Sequence, residues 1–199
     1  MEALLTPTRR YTKEDYFKLL AESEHKYEYL DGAVRMMAGG TIAHSTIVDN
    51  ANFALRSGQG ECKVKSSETA VYVAAANKYF FPDASAVCLE APKYESRKGI
   101  ARLTNPCLIV EVLSENTADY DRGDKFRAYR QLASFKEYIL IDSRKYSVDT
   151  YYREDECLWY IRSYFQPDHV LEVRSLGLQI PLTELYAEVD FAEVELGQS

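Results

Sequence analysis

Asp83, Glu111 and Lys125 have residue types and surroundings that could do chemistry. Asp83 follows Pro82 and leads directly into the apolar run ASAVCL. Glu111 lies within the run LIVEVL, where burial of an unpaired carboxylate would be costly. Lys125 follows in an acidic stretch that also contains Asp119, Asp121 and Asp124. The sequence therefore places two acids and a base close to two apolar runs.

This spacing permits metal-dependent hydrolysis. An acid at the edge of one strand and an acid within its neighbour can converge, and the two carboxylates then repel each other. Mg²⁺ relieves such repulsion, because it prefers a few carboxylate oxygens together with water, and the backbone carbonyl of Val112 would complete the protein's ligands. A bound ion polarises a phosphoryl oxygen and lowers the pKa of a water molecule. A nearby lysine then orients the nucleophile or stabilises negative charge.

Each of these residues also has a purely structural interpretation. An Asp after a Pro is more often a turn or strand-edge residue, and a lysine on a helix is solvated by default. A Glu in a strand commonly lies on the solvent face, but Glu111 has apolar neighbours on both sides, which weakens that interpretation. Lys125, Tyr129 and Leu132 share a helical face, which turns the lysine stem toward the sheet.

The first part of the chain predicts two helices around a hairpin. A capping pattern at Thr12 predicts the start of the first helix, and Asp31-Gly32 between two strand-like runs predicts the hairpin. A second helix is expected over about 41–57, where apolar residues follow helical spacing. The same spacing turns His44 toward the buried side of that helix.

The rest of the chain predicts strands, one further long helix and a short one. Strands are expected at about 63–66, 69–74, 84–89, 107–114 and 137–142, followed by an antiparallel meander at 147–152, 157–165 and 169–174. The long helix is expected over about 118–133 and the short one over about 182–186, whereas the polar stretch 91–104 is expected to be a loop. The fold class is therefore α/β, with a central mixed sheet flanked by helices and extra antiparallel strands toward the C-terminus.

Length and composition place all 199 residues in one domain. Its core is expected over about 12–186, between a flexible leader at 1–10 and a tail at 192–199. No apolar run is long enough to span a bilayer, and the N-terminus has no signal-peptide pattern.

The cysteines bear on metal binding and on location. Cys62, Cys88, Cys107 and Cys157 are widely spaced, which argues against a zinc site and fits a reducing cytoplasm for all of them. Cys88 and Cys107 lie in apolar runs and are interpreted as small buried hydrophobes.

The net charge of −7 is the main observation against nucleic-acid binding, because proteins that bind nucleic acids usually carry a basic surface. A local basic patch would therefore have to bind phosphates. The residues that could supply it are Arg122, Arg127 and Arg130 on the third helix, with Lys93, Arg97, Lys98 and Arg102 on the long loop. The alternative interpretation of these charges is a solvated helix face and a mobile loop.

Three blocks of the sequence resemble a known family. The blocks are KYEYLDGAVRMMAGGTIAHSTI, PDASAV and LIVEVLSENTADYDRGDKFRAYRQLASFKEYILID. They are similar to the Uma-two endonuclease family of bacterial proteins, part of the PD-(D/E)XK restriction-endonuclease-like superfamily. The resemblance covers about residues 12–186 and implies a restriction-endonuclease-like core.

The resemblance also implies roles for individual residues. Asp83 resembles the metal-binding Asp of the first half-motif, and Glu111 resembles the acid of the second. The superfamily's lysine normally stands two residues after that acid, where this chain has Leu113. The resemblance therefore implies that Lys125, on the following helix, takes the lysine role. Two more residues resemble polar positions near the family's site, namely Glu28 and His44.

The leading hypothesis is a magnesium-dependent endonuclease, with Mn²⁺ able to substitute. Asp83 and Glu111 bind the ion, and Lys125 assists attack of water on a DNA phosphodiester. One alternative is a catalytically silent scaffold for protein interaction or dimerisation, which the negative charge and the 16 tyrosines favour. Another is a hydrolase of a different phosphoester. A homodimer is expected by analogy with nucleases that cut duplexes, and the location is expected to be cytoplasmic.

Overall fold

The chain forms the strands of two large β-sheets and the helices that pack beside them. The computed structural model describes residues 10–37, 39–58, 60–97 and 100–191, and for residues 96, 97, 100 and 101 it describes the backbone alone. The helical segments are α1 (Lys13–Glu22), α2 (Ile42–Ser57), α3 (Ala118–Tyr120), a π turn (Asp121–Lys125), α4 (Phe126–Tyr129) and α5 (Leu182–Leu185). The strands are β1 (Tyr27–Leu30), β2 (Ala33–Met36), β3 (Lys63–Ser66), β4 (Ala70–Val73), β5 (Lys78–Phe80), β6 (Ala84–Val87), β7 (Tyr94–Arg97), β8 (Ile100–Leu103), β9 (Leu108–Leu113), β10 (Glu137–Asp142), β11 (Val148–Arg153), β12 (Trp159–Tyr164), β13 (Val170–Val173) and β14 (Leu178–Pro181).

Helix α1 begins at the capping box that the sequence predicts. The Thr12 hydroxyl accepts a hydrogen bond from the Asp15 backbone N–H, and the Asp15 carboxylate accepts one from the Thr12 N–H. This satisfies donors that the first turn of a helix leaves without partners. The helix buries Tyr16 and Phe17 against Tyr79 of β5.

The first sheet has six strands in the order β2-β1-β5-β4-β8-β7. Strands β1 and β2 form the predicted hairpin, whose turn holds Asp31 at φ 50° and Gly32 at φ 96°. An Asp-Gly pair suits this left-handed turn, because Gly has no Cβ to clash there. The β4–β8 pair is parallel, and the other described pairs of this sheet are antiparallel.

The second sheet also has six strands, in the order β12-β11-β10-β9-β6-β3. Its centre is the parallel pair β9 and β10, in which every residue is buried. This confirms the prediction that LIVEVL is a central strand. Strand β6 runs antiparallel to β9 with Ala84 opposite Val110, so Asp83 lies just beyond the end of that ladder.

The two faces of β9 are buried against different partners. Val110 and Val112 face helix α2, where they join Ile47 and Leu55 in one core cluster. Ile109, Leu113 and residues of α4 and the first sheet form another cluster. Side chains alternate along a strand, so Glu111 projects to the second face, between the two sheets.

The C-terminal part confirms extra antiparallel strands and the short helix, but the predicted three-strand meander is wrong, because β13 belongs to a separate sheet. Strands β11 and β12 extend the second sheet antiparallel to β10. Strands β13 and β14 form a separate two-stranded sheet, and α5 follows directly. Leu182 and Leu185 of α5 are buried in the α2-side core.

The structure differs from the prediction in several elements. The predicted loop at 91–104 is wrong, because β7 and β8 form an antiparallel hairpin there. Strands β5 and β14 were not predicted; β5 pairs with both β1 and β4, and β14 pairs with β13. The third helix stops at Tyr129 instead of Ala133 and contains the π turn. Strands β5 and β8 pair with segments distant in the sequence, which local periodicity does not reveal.

The cysteines differ from the prediction in part. Cys62 and Cys88 form a disulfide across the ends of β3 and β6, so the interpretation of Cys88 as a small buried hydrophobe is wrong, and Cys88 is only partly buried. Cys107 is buried as predicted, and burial raises the pKa of its thiol to about 11.

Other predictions fall outside the described residues. Residues 1–9 of the predicted leader and the tail at 192–199 lie there, and the prediction of a single domain stays a prediction. Among the helices that the structure describes, none has the length and apolar content that crossing a membrane requires.

Candidate functional site

The residues predicted for the site line one cavity of about 950 Å³ between the two sheets and the start of α2. The structure brings together residues from five separate parts of the chain, namely Glu28 of β1, His44 of α2, Asp83 before β6, Glu111 and Val112 of β9, and Lys125 of the π turn. Their proximity agrees with the predicted grouping, and their individual roles stay predictions.

The Lys125 ammonium lies at the centre of the cluster. Its Nζ is 3.1 Å from Glu111 Oε1, 3.2 Å from Glu28 Oε1 and 3.1 Å from Asp121 Oδ1. All four side chains are at most 7% exposed. The Tyr129 hydroxyl donates a hydrogen bond of 3.1 Å to Glu111 Oε1. The lysine stem therefore does turn toward the sheet, as its helical face predicted.

Asp83 is held at the end of β6 by its neighbours. Its Oδ2 accepts a hydrogen bond of 2.7 Å from the Val112 backbone N–H. The Asn52 side-chain amide donates to the Asp83 carbonyl at 3.2 Å and so ties this residue to α2. In a strand the N–H and C=O of one residue point to the same side. The Val112 carbonyl therefore faces the side of β9 on which Asp83 lies, beyond the last β6–β9 pair.

His44 approaches Asp83 from the first turn of α2. Its Nε2 is 3.7 Å from Asp83 Oδ2, and its side chain is largely buried. Gly40 packs closely on the ring, because a Cβ at that position would lie 2.5 Å from His44 Nδ1. A residue with a side chain at position 40 would displace the imidazole, so this glycine helps fix it.

The cluster holds more acid than base. Burial raises the pKa of the Glu111 carboxyl well above its ordinary value, and the nearby Asp121, Asp83 and Glu28 raise it further against the opposing effect of Lys125. Burial likewise raises the pKa of Glu28 and of Asp83. Burial alone would lower the pKa of Lys125, but the surrounding carboxylates more than reverse this and raise it. Lys125 and, at Glu28, also Arg35 oppose the rise in these carboxyl pKa values without cancelling it.

The donor atoms of the cluster suit a hard divalent cation. They are carboxylate and carbonyl oxygens, the ligands that Mg²⁺ prefers. Within the part of the chain that the structure describes, the buried oxygens Glu28 Oε1 and Asp121 Oδ1 have no hydrogen-bond donor in good geometry. No group of three or more His, Cys, Asp or Glu side chains among those same residues is arranged to hold an ion. The predicted ligand set of Asp83 and Glu111 with the Val112 carbonyl therefore stays a prediction.

Among the described side chains of the predicted basic patch, none lines this cavity. Three of its members form ion pairs, Arg122 with Asp149, Arg127 with Asp124 and Lys93 with Glu90. Arg130 lies over the Phe126 and Trp159 rings, and Arg102 is buried. The Arg97 side chain and Lys98 are outside the described residues. The prediction for Arg102 is wrong, because its guanidinium packs on Phe17 and Tyr79. Other basic residues line the cavity beside Lys125, namely Lys26, Arg35 and Arg144.

Sequence reasoning did not assign a role to Asp121 or Tyr129 at this site. In the sequence Asp121 is one acid of a cluster, although it precedes Lys125 by one helical turn. That spacing was a usable signal, because residues four apart on a helix face each other.

Comparison with known proteins gives consistent results. A family model described as "Uma2: Putative restriction endonuclease" matches residues 13–183. A Synechocystis sp. PCC 6803 protein named "Uncharacterized protein slr1290" is 33% identical over 187 residues, which cover 93% of this chain and 96% of that protein. A second Synechocystis protein, "Uncharacterized protein sll1609", is 29% identical over 158 residues, which cover 78% of this chain and 88% of that protein.

A solved structure shares the fold. It is the crystal structure from Anabaena variabilis ATCC 29413 described as "a putative nuclease belonging to DUF820", with a TM-score of 0.70 and 18% identity over 89% of this chain and 98% of that one. The likeness confirms the predicted α/β class, with mixed sheets flanked by helices and extra antiparallel strands at the C-terminus. Since the family model spans most of the sequence, the chain belongs to the Uma2 family.

Proposed function

We propose that this protein is a metal-dependent endonuclease that hydrolyses phosphodiester bonds in DNA. The observation that carries the proposal is the buried excess of carboxylates around Lys125, in a cavity that also reaches Asp83. Burying this much like charge costs free energy, and strongly perturbed acids in a cleft are typical of functional sites. The family description and the printed description of the Anabaena structure as a putative nuclease support the same reaction class.

Asp83, Glu111 and the Val112 carbonyl are the residues that would hold Mg²⁺, with Mn²⁺ able to substitute. When bound there, the ion would supply a Lewis acid for a phosphoryl oxygen and lower the pKa of a water molecule. The Val112 N–H orients Asp83, because it holds Oδ2 at 2.7 Å. Tyr129 orients Glu111 in the same way through Oε1.

The other residues of the cavity would act on the water and the phosphate. The raised pKa keeps Lys125 positively charged at neutral pH, so its ammonium can stabilise negative charge that develops on the phosphate. His44 Nε2 lies 3.7 Å from Asp83 Oδ2, and an imidazole at this position would be a candidate for proton transfer. Glu28 compensates the charge of Lys125 from the first sheet.

The protein carries a net charge of −7, so DNA would have to bind through a small group of neighbouring basic residues. The cavity is lined by the cationic side chains Lys26, Arg35 and Arg144. Arg144 is oriented by Asp142, whose carboxylate accepts from its Nε at 3.0 Å and its Nη2 at 2.8 Å. We propose that these residues contact phosphates in place of the basic patch predicted from the sequence.

The test is ion binding and plasmid cleavage by the same set of proteins. Mg²⁺ and Mn²⁺ binding would be measured by calorimetry for the wild type, Asp83→Ala and Asp124→Ala, followed by cleavage of supercoiled plasmid. Asp124 is an exposed acid of the same segment as Lys125 and serves as the matched control. We expect binding and cleavage in the wild type and Asp124→Ala and loss of both in Asp83→Ala. A folded wild type that binds neither ion would refute the mechanism, and binding without cleavage would transfer the proposal to another phosphoester.

A catalytically silent scaffold is the competing proposal. The charge of −7 favours it, because the chain offers little general attraction to a polyanion. It predicts a folded wild type that neither cleaves plasmid nor gains stability from divalent cations.

We also propose a homodimer, because two sites are needed to cut both strands of a duplex at once. Light scattering on the purified protein would measure its mass, and a monomer at micromolar concentration would contradict the dimer. A cytoplasmic location stays a prediction, and the Cys62–Cys88 disulfide is the observation against it, since disulfides are rare in that compartment.

A further inference from the structure

Asp121 is buried at the proposed reaction centre, and neither ion binding nor proton transfer in the proposed mechanism uses it. Its side chain is 4% exposed, it lines the cavity, and its Oδ1 lies 3.1 Å from Lys125 Nζ. We propose that Asp121 is a positioning residue, which fixes the Lys125 ammonium at the reaction centre independently of Glu111. The role of Lys125 at a reaction centre rests on the proposed nuclease function, whereas the Asp121–Lys125 contact rests on the geometry alone.

The π turn is what places both residues on the inward side. Asp121 and Lys125 are the first and last residues of this turn, and both are buried. The Tyr138 hydroxyl donates a hydrogen bond of 3.1 Å to the Asp121 carbonyl, which anchors the turn to β10. Short π segments inside helices are frequent at functional sites. A single helical turn therefore connects Asp121 and Lys125, and the Tyr138 hydrogen bond holds that turn against the sheet.

The other two partners of Lys125 are less suited to hold it during a reaction. Glu111 Oε1 also accepts from Tyr129, and the same carboxylate is proposed to bind the ion. Glu28 belongs to β1 of the other sheet, so its contact depends on how the two sheets pack. An ion that draws charge from Glu111 weakens its attraction for Lys125. Asp121 would then keep the ammonium in place, because it shares the turn with Lys125.

The pairing also explains why this acid is tolerated in the interior. Among the described residues, no hydrogen-bond donor reaches Asp121 Oδ1 in good geometry. The ammonium of Lys125 is the cation next to it, and a buried carboxylate without such a partner would be strongly destabilising. The Asp121 carboxylate therefore depends on Lys125 for its stability in the interior.

The first experiment measures the position of Lys125 without metal or DNA. In a ¹H–¹⁵N spectrum selective for lysine ammonium groups, an immobilised and protected Lys125 gives a cross peak, which is assigned by its loss in Lys125→Met. We expect this peak in the wild type and in Asp124→Asn, the exposed control from the same turn. In Asp121→Asn we expect the peak to disappear through faster solvent exchange. A peak that persists unchanged in Asp121→Asn would overturn the proposal.

The second experiment separates positioning from ion binding. If Asp121 acts only through Lys125, Asp121→Asn should lower kcat for plasmid cleavage by about 10–100-fold and leave KM and the Mn²⁺ dissociation constant within about threefold of the wild type. A loss of Mn²⁺ affinity of about tenfold or more would make Asp121 an ion ligand and overturn the positioning role. A wild type that neither binds Mn²⁺ nor cleaves, together with the expected change in the ammonium peak, would refute the proposed function and leave the contact established.

A second variant covers the case in which Asp121→Asn does not fold. Asp121→Glu keeps the charge and lengthens the side chain, so the ammonium peak should remain at a shifted position while kcat falls by less than about tenfold. An Asp121→Glu protein with an unchanged peak and an unchanged kcat would contradict a role that depends on the position of this carboxylate.

Discussion

Lys125 and Arg102 are both buried in this molecule, and different chemistry compensates their charges. Lys125 lies within 3.2 Å of three carboxylate oxygens at the wall of a cavity. Arg102 is fully buried outside that cavity, with its guanidinium carbon 4.3 Å from the Phe17 ring centre and 5.2 Å from that of Tyr79. Its Nε donates a long hydrogen bond of 3.4 Å to the Glu95 carbonyl.

The two environments differ in how the buried cation is compensated and in whether a cavity lies beside it. Aromatic faces attract a cation without carrying a net charge, and they surround Arg102, although among the described residues its Nη1 and Nη2 have no hydrogen-bond partner. The acidic groups around Lys125 outnumber it, and they line an open cavity. Acidic groups that face an open cavity are available to bind a cation, whereas a guanidinium group enclosed by aromatic rings contributes to packing.

The largest effect should follow from removal of the Lys125 charge. Lys125→Met would leave three buried carboxylates without their cation, so we expect a loss of about 3–5 kcal/mol in the free energy of unfolding. Urea denaturation at pH 7.5 measures it. A loss below about 1 kcal/mol would mean that the acids are already protonated and that the cluster is not an ionic one.

Divalent cations should stabilise the protein through the acidic site at Lys125 and not through the cluster around Arg102. Mn²⁺ at 100 times its dissociation constant should raise the free energy of unfolding by about 2.7 kcal/mol in the wild type and in Arg102→Met. Asp83→Asn should lose the effect, because Asp83 is a proposed ligand. Thermal unfolding with and without Mn²⁺ is the measurement, and equal stabilisation of Asp83→Asn would place the ion elsewhere.

Replacement of Arg102 should cost less than replacement of Lys125. Arg102→Met keeps much of the apolar contact with Phe17 and Tyr79 and loses cation–π attraction, so we expect a loss of about 1–2 kcal/mol. Plasmid cleavage should not change, because the side chain does not line the cavity. Reduced cleavage by the folded variant would contradict the assignment of this cluster to packing.

The smallest effect should be a dependence of stability on pH. The pKa values of Glu28, Asp83 and Glu111 are raised in the folded protein by burial, so the folded state binds these protons more tightly than the unfolded chain does. Stability is therefore highest below the unfolded pKa values and is lost as the pH rises through the folded ones. We expect the metal-free protein to be more stable at pH 5.5 than at pH 8 by about 1 kcal/mol or more.

Saturating Mg²⁺ provides the control for this dependence. Glu137, far from the cavity, also has a pKa raised by burial and contributes in the same direction. The part of the pH dependence that Mg²⁺ removes belongs to the site, because the ion competes with protons for the carboxylates. A pH dependence that Mg²⁺ leaves unchanged would separate the raised pKa values from ion binding.

Local patterns predicted most of the helices and strands correctly. The capping box at Thr12, the Asp31-Gly32 turn and the apolar run around Glu111 each depend on neighbours in the sequence, and each is confirmed. The hairpin of β7 and β8 was missed because its stretch is polar and charged, and its strands form by pairing with each other and with β4. Local composition does not encode a partner that lies far along the chain.

The residues of the candidate site also divide into those that the local sequence predicts and those that it does not. Asp83, Glu111 and Lys125 are recognisable because an acid or a base in an apolar context needs a reason to be there. Roles at the site for Glu28 and His44 are implied only by the resemblance to the family, although helical spacing turns His44 toward the buried side of its helix. The residues of the predicted basic patch pair with local acids or rings instead, because surface charge close in sequence says little about which cavity it faces.

The sequence by itself determined the fold class, the family and the residues whose burial would be unusual. Only the tertiary structure decided that Glu28, Glu111 and Asp121 share one ammonium group, and that Arg102 belongs to an aromatic cluster instead of a phosphate-binding loop. The physical reason is that secondary structure follows from short-range periodicity and hydrogen bonding. The compensation of a buried charge depends on side chains that the packing of two sheets brings together from distant parts of the chain.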